Sequence, residues 1–281
     1  MQELKAAERK LAMLIDGDNA QHNLLTRIFE EASRYGEVTI RRAYGDWTEQ
    51  NLANWRQPML ENAISPRHQW RYTTGKNATD SALIIDAMDI LYSGTVQGFC
   101  IVSSDSDFTG LCTRIRESGL FVMGIGRKNT PEAFTKACNV FVYTENLTPT
   151  DDVKTTPAAP KADEAKPAAE VKTPGKAKPA TIAKADTVKT PAKAKPGASQ
   201  KALLNLLRRA FAISTQDDEG WVHLGALGNA LQRIEPSFDS RTYEFKSLSL
   251  LIKSMPERVE VKGAKKTGTS TMYARMKDDS R

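Results

Sequence analysis

Two apolar stretches of this sequence each end in a pair of aspartates separated by one residue. The first pair is Asp16 and Asp18, and the second is Asp105 and Asp107. A short apolar run bounded by turn-forming residues is typical of a buried strand in a parallel sheet. Ligands of open α/β sheets bind beyond the carboxyl ends of the strands. Both pairs are therefore predicted to lie where such a protein would carry out its chemistry.

The first pair has a second interpretation when it is taken alone. Residues 16–18 also suit a tight turn, with Asp18 or Asn19 capping the helix that follows. The second copy of the pattern, at Asp105 and Asp107, favours the functional interpretation.

A further acid, Asp80, stands at the start of a predicted helix. Because the ends of adjacent strands converge, we expect four carboxylates to meet within a few Å: those of Asp16, Asp80, Asp105 and Asp107. Four carboxylates do not stay ionised together without a counter-charge, and a hard divalent cation, Mg²⁺ or Mn²⁺, is the usual one. Such an ion polarises a phosphoryl oxygen and produces hydroxide for in-line attack. This chemistry needs no His, Cys or Ser nucleophile, and none is evident.

The elements that must position these acids alternate between strand and helix. Repeated strand–helix units predict an α/β fold with a parallel sheet that helices cover on both faces. The predicted strands are 11–15, 38–44, 69–73, 98–103, 120–125 and 140–143. The predicted helices are 21–35, 47–63 with an interruption or end near Pro58, 80–92, 107–118 and a short one that begins at Pro131.

The length of 281 residues predicts about two domains. The formal net charge of +6 is modest, and the chain is predicted to be soluble. Three cysteines without CxxC spacing are predicted to be reduced thiols of a cytoplasmic protein. The first ten residues lack the apolar region of a signal peptide, and no apolar run approaches the ~20 residues that cross a bilayer. We therefore expect no membrane partner.

The second half of the chain is divided into a linker and a small domain. Residues 148–200 are rich in Lys, Ala and Pro, and such a composition predicts a disordered linker. Residues 201–277 contain three helical patterns, at 202–212, 224–234 and 240–254, followed by two β-rich runs around a basic, Gly-containing tip. Three helices followed by a hairpin is the layout of a winged helix.

Three motifs in residues 10–147 resemble the NYN domain, the LabA-like branch of the PIN-like nuclease superfamily. They are residues 14–19, residues 76–86 and residues 103–108, and they occur in the order expected for that family. The resemblance implies a Rossmann-like α/β sandwich and Mg²⁺- or Mn²⁺-dependent cleavage of RNA. It also implies that Asn19 orients the first loop or a substrate phosphate, and that the catalytic metal ligands are Asp16, Asp80, Asp105 and Asp107.

Two further acids fit the family pattern less well. Asp86 matches a recurrent acid of the family, but on a helix that starts at Asp80 it points away from the face of Asp80. Asp18 is offset from the main ligand of the family and is expected to cap a helix. Basic or phenolic residues near the predicted strand ends are candidate phosphate contacts: Arg41, Arg42, Tyr44, Lys76, Arg127 and Lys128.

Residues 201–277 resemble the OST-HTH/LOTUS domain, through residues 220–224, residues 238–251 and the terminal hairpin. The resemblance implies an RNA-binding winged helix, and an excess of bases over acids suits phosphate binding. The implied RNA contacts are Arg241, Lys246, Lys253, Lys262, Lys265 and Lys266.

The preferred hypothesis is a metal-dependent endoribonuclease with RNA as its partner, held by the second domain. One alternative is a haloacid-dehalogenase-like phosphatase with Asp16 as nucleophile, although Ala20 stands where that family has Thr or Val. The other is a non-catalytic RNA-binding or regulatory protein that retains the acids.

Overall fold

The first domain is built on a sheet of six parallel strands. The computed structural model describes residues 9–70, 78–148, 196–217, 219–266 and 269–277. The strands lie in the order β3-β2-β1-β4-β5-β6. Their bounds are β1 Lys10–Asp16, β2 Glu37–Gly45, β3 Ser65–His68, β4 Gly98–Val102, β5 Phe121–Gly126 and β6 Val140–Tyr143.

Helices cover both faces of this sheet, because the central strands are apolar on both sides. Along β1, Leu11, Met13 and Ile15 contribute to one core, and Ala12 and Leu14 contribute to the other. The first core is closed by α1 Leu25–Ser33 and α2 Arg56–Glu61. The second core is closed by α3 Ala78–Ser93, α4 Thr109–Glu117 and α5 Glu132–Ala137. The predicted α/β class and parallel sandwich are confirmed.

The strand order places a crevice between β1 and β4. From β1 the chain moves outward through β2 and β3, and then returns to β4 on the other side of β1. This reversal is the switch point at which doubly wound sheets bind ligands, beyond the carboxyl ends of the two strands. The two Asp-x-Asp pairs follow β1 and β4, so both lie at this point.

Two predicted elements of the first domain are wrong in position or type. The strand predicted at 69–73 is replaced by β3 at Ser65–His68, which pairs with β2; residues 71–73 lie outside the described ranges. The helix predicted at 47–63 is divided into a 3-10 helix, Gln50–Trp55, and α2. Pro58 lies in the first turn of α2, where a missing N–H costs no helical hydrogen bond.

The second domain has three helices and a three-stranded antiparallel sheet. The strand order is β7-β9-β8, and β8 and β9 form the predicted hairpin. The bounds are α6 Pro196–Ile213, β7 Val222–His223, α7 Leu224–Ile234, α8 Leu248–Lys253, β8 Val259–Lys266 and β9 Thr269–Met276. The winged-helix layout predicted from the sequence is therefore present.

The third helix of this domain is shorter than predicted. A 3-10 helix, Ser240–Tyr243, ends where Glu244 takes a φ of 68°. Helix α8 then begins after Ser247, whose side chain accepts a hydrogen bond from the N–H of Leu250. The left-handed residue breaks the helix that the apolar pattern of 240–254 suggested.

The two domains contact each other along β6 and α1. The N–H of Phe141, on the outer strand β6, donates to the carbonyl of Pro236 over 2.8 Å. The Arg241 guanidinium binds both carboxylate oxygens of Glu31, at 3.0 and 3.1 Å. Helix α6 begins at Pro196, ahead of the predicted start of order at 201, and the rest of the predicted linker, 149–195, lies outside the described residues. Within the described ranges, no helix has the length and apolarity to cross a membrane.

Candidate metal centre

Asp16 is the last residue of β1, and its carboxylate is completely buried. One oxygen, Oδ1, accepts from the backbone N–H groups of Asp18 and Asn19, at 3.0 and 3.3 Å. The other, Oδ2, accepts from Nδ2 of Asn19 at 2.8 Å and from Oγ of Ser103 at 2.7 Å. Burial raises the pKa of Asp16, and the bonds from Ser103 and Asn19 partly oppose that rise. Four hydrogen bonds therefore fix the carboxyl group of Asp16 beneath the crevice.

Gly17 allows the chain to turn directly after this carboxylate. Its N–H donates to the carbonyl of Tyr44 on β2 at 2.8 Å. A Cβ atom on Gly17 would lie 2.6 Å from that same carbonyl oxygen. Only glycine fits such a close approach, so the residue between the two aspartates has a structural reason of its own.

Ser103 connects the loop after β1 with the loop after β4. Its hydroxyl donates to Asp16 and also accepts from the N–H of Asp105 at 3.0 Å. Asp105 in turn accepts from the N–H of Asp107 at 2.9 Å, and so caps the short 3-10 helix Ser106–Phe108. The second Asp-x-Asp pair is therefore held in place by the first. Sequence analysis placed Ser103 within a family motif but gave it no role; its place at the end of an apolar strand, two residues before an acid, was the available signal.

Three carboxylates gather at the mouth of the crevice. Asp80 lies in the first turn of α3, and its oxygen lies within 4.8 Å of oxygens of Asp105 and Asp107, which are likewise mutually within that distance. Burial, followed by the negative charges of Asp16 and Asp105, raises the pKa of Asp80 to about 6. The structure thus brings all four predicted acids to one place, with Asp16 below and the other three around the opening.

Asp86 is held by a different set of partners. Its Oδ1 lies 2.5 Å from Nη1 of Arg42, its Oδ2 accepts from the hydroxyl of Tyr44, and Nε of Arg67 lies 4.0 Å away. Burial and then Asp86 raise the pKa of Tyr44 well above its usual range. Asp86 therefore ties α3 to β2, away from the three gathered acids, and Arg42 and Tyr44 are engaged in this contact. Asp18 is exposed, and its backbone N–H supports Asp16.

The basic residues of the first domain divide into supporting and exposed groups. Arg41, a predicted RNA contact, lies 4.1 Å above the ring of Phe29 and donates to the carbonyl of Asn62, so it supports the fold instead. Arg127 and Lys128 are exposed and follow β5 at the edge that carries the acids. Lys76 lies outside the described residues.

Arg241 of the second domain also differs from its predicted role. Its guanidinium is occupied by Glu31 of the first domain and by Asp239, which lies 2.6 Å away. We therefore assign it to the contact between the domains. Lys246 and Lys253 are exposed, and Lys262 lies 4.2 Å from the ring of Trp221. Lys265 and Lys266 belong to β8, but their side chains lie outside the described part of the chain.

Comparison with known proteins identifies two domain families in this chain. Residues 10–146 match the NYN domain, and residues 196–271 match the OST-HTH/LOTUS domain. No curated protein matches the chain. Similar solved structures include a protein of unknown function from Vibrio parahaemolyticus, at 17% identity and a TM-score of 0.42, over 50% of this chain and 96% of that one. An uncharacterized protein from Nitrosomonas europaea matches at 27% identity and a TM-score of 0.26, over 36% of this chain and 96% of that one.

The two family matches agree in order with the resemblances found in the sequence, and the second begins ahead of the predicted boundary at 201. A PIN-like nuclease domain beside an RNA-binding domain supports a role in nuclease action or RNA binding. The chain therefore carries a match to the NYN domain over residues 10–146, followed by a match to the OST-HTH/LOTUS domain over residues 196–271.

Proposed function

We propose that this protein is a metal-dependent endoribonuclease whose second domain holds the RNA. The observation that carries the proposal is the group formed by Asp80, Asp105 and Asp107, whose oxygens lie within 4.8 Å of one another at the switch point of the sheet. The NYN domain gives this group a nuclease context, and the OST-HTH/LOTUS domain gives the substrate class.

The donor atoms fit a hard divalent cation. Asp80, Asp105 and Asp107 would hold it, because carboxylate oxygens suit Mg²⁺ and Mn²⁺ and poorly suit softer metals. The ion would polarise a phosphoryl oxygen and lower the pKa of a water molecule. Asp16 and Ser103 position one of these ligands. Asp16 accepts from the hydroxyl of Ser103, which accepts from the backbone N–H of Asp105 and so fixes the direction of the Asp105 carboxylate. Asn19 fixes the loop after β1 through its bond to Asp16.

The geometry favours this function over a phosphatase that forms a covalent intermediate on Asp16. A nucleophilic carboxylate needs an oxygen that can reach the phosphorus atom of a substrate. Asp16 is completely buried, and both of its oxygens accept hydrogen bonds from Asn19 or Ser103. The carboxylates that reach the opening are those of the three gathered acids.

The proposal is tested by incubating the full chain with unstructured and structured RNA, in Mn²⁺, in Mg²⁺ or in EDTA. Asp80→Asn and Asp105→Asn should each lower cleavage about a hundredfold, because each removes a ligand of the ion. Asp89→Asn is the matched control, since Asp89 is exposed on α3 and lies about 13 Å further along that helix. Cleavage that persists in EDTA, or that both site variants retain, would reject the proposal.

A further inference from the structure

An exposed tryptophan stands beyond the carboxyl end of β3. Trp70 is 55% exposed, although tryptophan is normally among the best-buried side chains. The ring of His68, the last residue of β3, meets the ring of Trp70 edge-on, with the centroids 4.3 Å apart. One ring supports the other, and the indole still presents a large surface to solvent.

The ring of His68 is fixed by the loop that follows β2. Its Nδ1 accepts from the backbone N–H of Trp47 at 3.3 Å. The indole Nε1 of Trp47 donates back to the carbonyl of Arg67 at 3.0 Å. These reciprocal bonds hold the end of β3, so the Trp70–His68 pair is a preorganised surface.

This aromatic pair lies at the same edge of the sheet as the acids. In the strand register, Asp16 is paired with Tyr44, and Tyr44 is paired with Arg67. Adjacent strands lie about 4.8 Å apart, so Arg67 is about 10 Å from Asp16 across the sheet.

A cationic residue, Arg67, precedes His68 on β3. The side chain of Arg67 is 49% exposed, and its only close acid in the described residues, Asp86, is 4.0 Å away and already bound to Arg42. Exposed aromatic rings with an adjacent cation are the usual surface for single-stranded nucleic acid, since bases stack on the rings and phosphates contact the cation.

We infer that Trp70, supported by His68, is a stacking site for an unpaired base of the RNA that is cut at the three gathered acids. This inference rests on the proposed function for its substrate. Such a site favours single-stranded over duplex RNA, because a base within a duplex has no free face to stack on the indole.

The test measures binding and does not depend on cleavage. The full chain carrying Asp105→Asn is titrated into a fluorescent, unstructured RNA oligonucleotide in EDTA, and its affinity is followed by anisotropy. Adding Trp70→Ala should weaken binding about tenfold, and Trp70→Phe should restore most of it. Binding of a duplex with the same sequence should not change on Trp70→Ala.

Tyr92→Ala is the matched control, because Tyr92 is a 73% exposed aromatic residue on α3 and lies about 18 Å along the helix from Asp80. It should leave both affinities unchanged. Equal binding of unstructured RNA with and without Trp70 would overturn the inference, even if the protein proves to be a ribonuclease. A selective loss on Trp70→Ala would support it, even if no cleavage is found, so failure of the two proposals is distinguishable.

Discussion

Asp80→Asn should make the metal-free protein more stable at neutral pH while it removes activity. The pKa of Asp80 is raised from 3.8 to about 6, first by burial and then by the charges of Asp16 and Asp105. The folded state therefore favours the neutral carboxyl group more than the unfolded state does. Its contribution to stability is fully present below about pH 4 and is lost as the pH rises through about 6. Asparagine has no charge to lose.

The size of the effect follows from the pKa. A rise from 3.8 to about 6 corresponds to at most about 3 kcal/mol, at about 1.4 kcal/mol for each tenfold change in proton affinity. Because Asp80 is only half-buried, solvent screening reduces this to about 1–2 kcal/mol. We expect a gain in melting temperature of roughly 2–8 °C.

Thermal unfolding of the wild type and of Asp80→Asn in EDTA measures this gain, at about pH 7.5 and about pH 4.5. The gain should shrink at the lower pH, where the wild-type carboxyl group is protonated in the fold. Saturating Mn²⁺ should reverse the order, because mass action stabilises the protein that binds the ion. Asp89→Asn should have no effect in any condition. A variant that is less stable than the wild type in EDTA, or a gain independent of pH, would refute the electrostatic reasoning.

Three further results are expected. Gly17→Ala should cost about 1–3 kcal/mol of unfolding free energy in urea, because its Cβ would lie 2.6 Å from a carbonyl oxygen; Gly110→Ala, with nothing within 4 Å in α4, should gain about 0.5–1 kcal/mol. Glu31→Gln should separate the domains, seen as a larger radius of gyration by X-ray scattering, because Arg241 loses its ionic partner in the first domain; an unchanged radius would mean that other contacts suffice. Deletion of residues 149–281 should weaken RNA binding and flatten its salt dependence; unchanged binding would place the RNA grip in the first domain.

The gathering of the acids could be predicted from the sequence because it depends on local pattern and sheet geometry. An apolar run that ends in Asp-x-Asp fixes where the aspartates stand on their strand. Parallel strands have their carboxyl ends at one edge, so Asp16 and Asp105 must lie near each other once β1 and β4 are neighbours. The position of Asp80 follows from its place in the first turn of α3, because α3 starts at this edge.

The partners of individual charged side chains could not be predicted in this way. Arg241 and Glu31 are 210 residues apart, and no local pattern relates them. The charge and position of Arg41 would both suit contact with RNA. Its guanidinium instead packs on the ring of Phe29 and donates to the carbonyl of Asn62. Packing between elements determines which partner a long cationic side chain contacts. A short stretch of sequence does not reveal that packing.

The four acids coexist because they differ in burial and in the number of hydrogen bonds that each accepts. Asp16 keeps its carboxylate buried because four hydrogen bonds from Asp18, Asn19 and Ser103 replace the water that it loses. Burial, and then the charges of Asp16 and Asp105, raise the pKa of Asp80, a side chain that reaches the opening. In the metal-free protein, we expect asparagine at position 80 to be more stable than aspartate. The acid at this position therefore lowers stability without any structural gain. Such losses of stability are expected where a ligand supplies what the protein lacks, and we propose that this ligand is a cation.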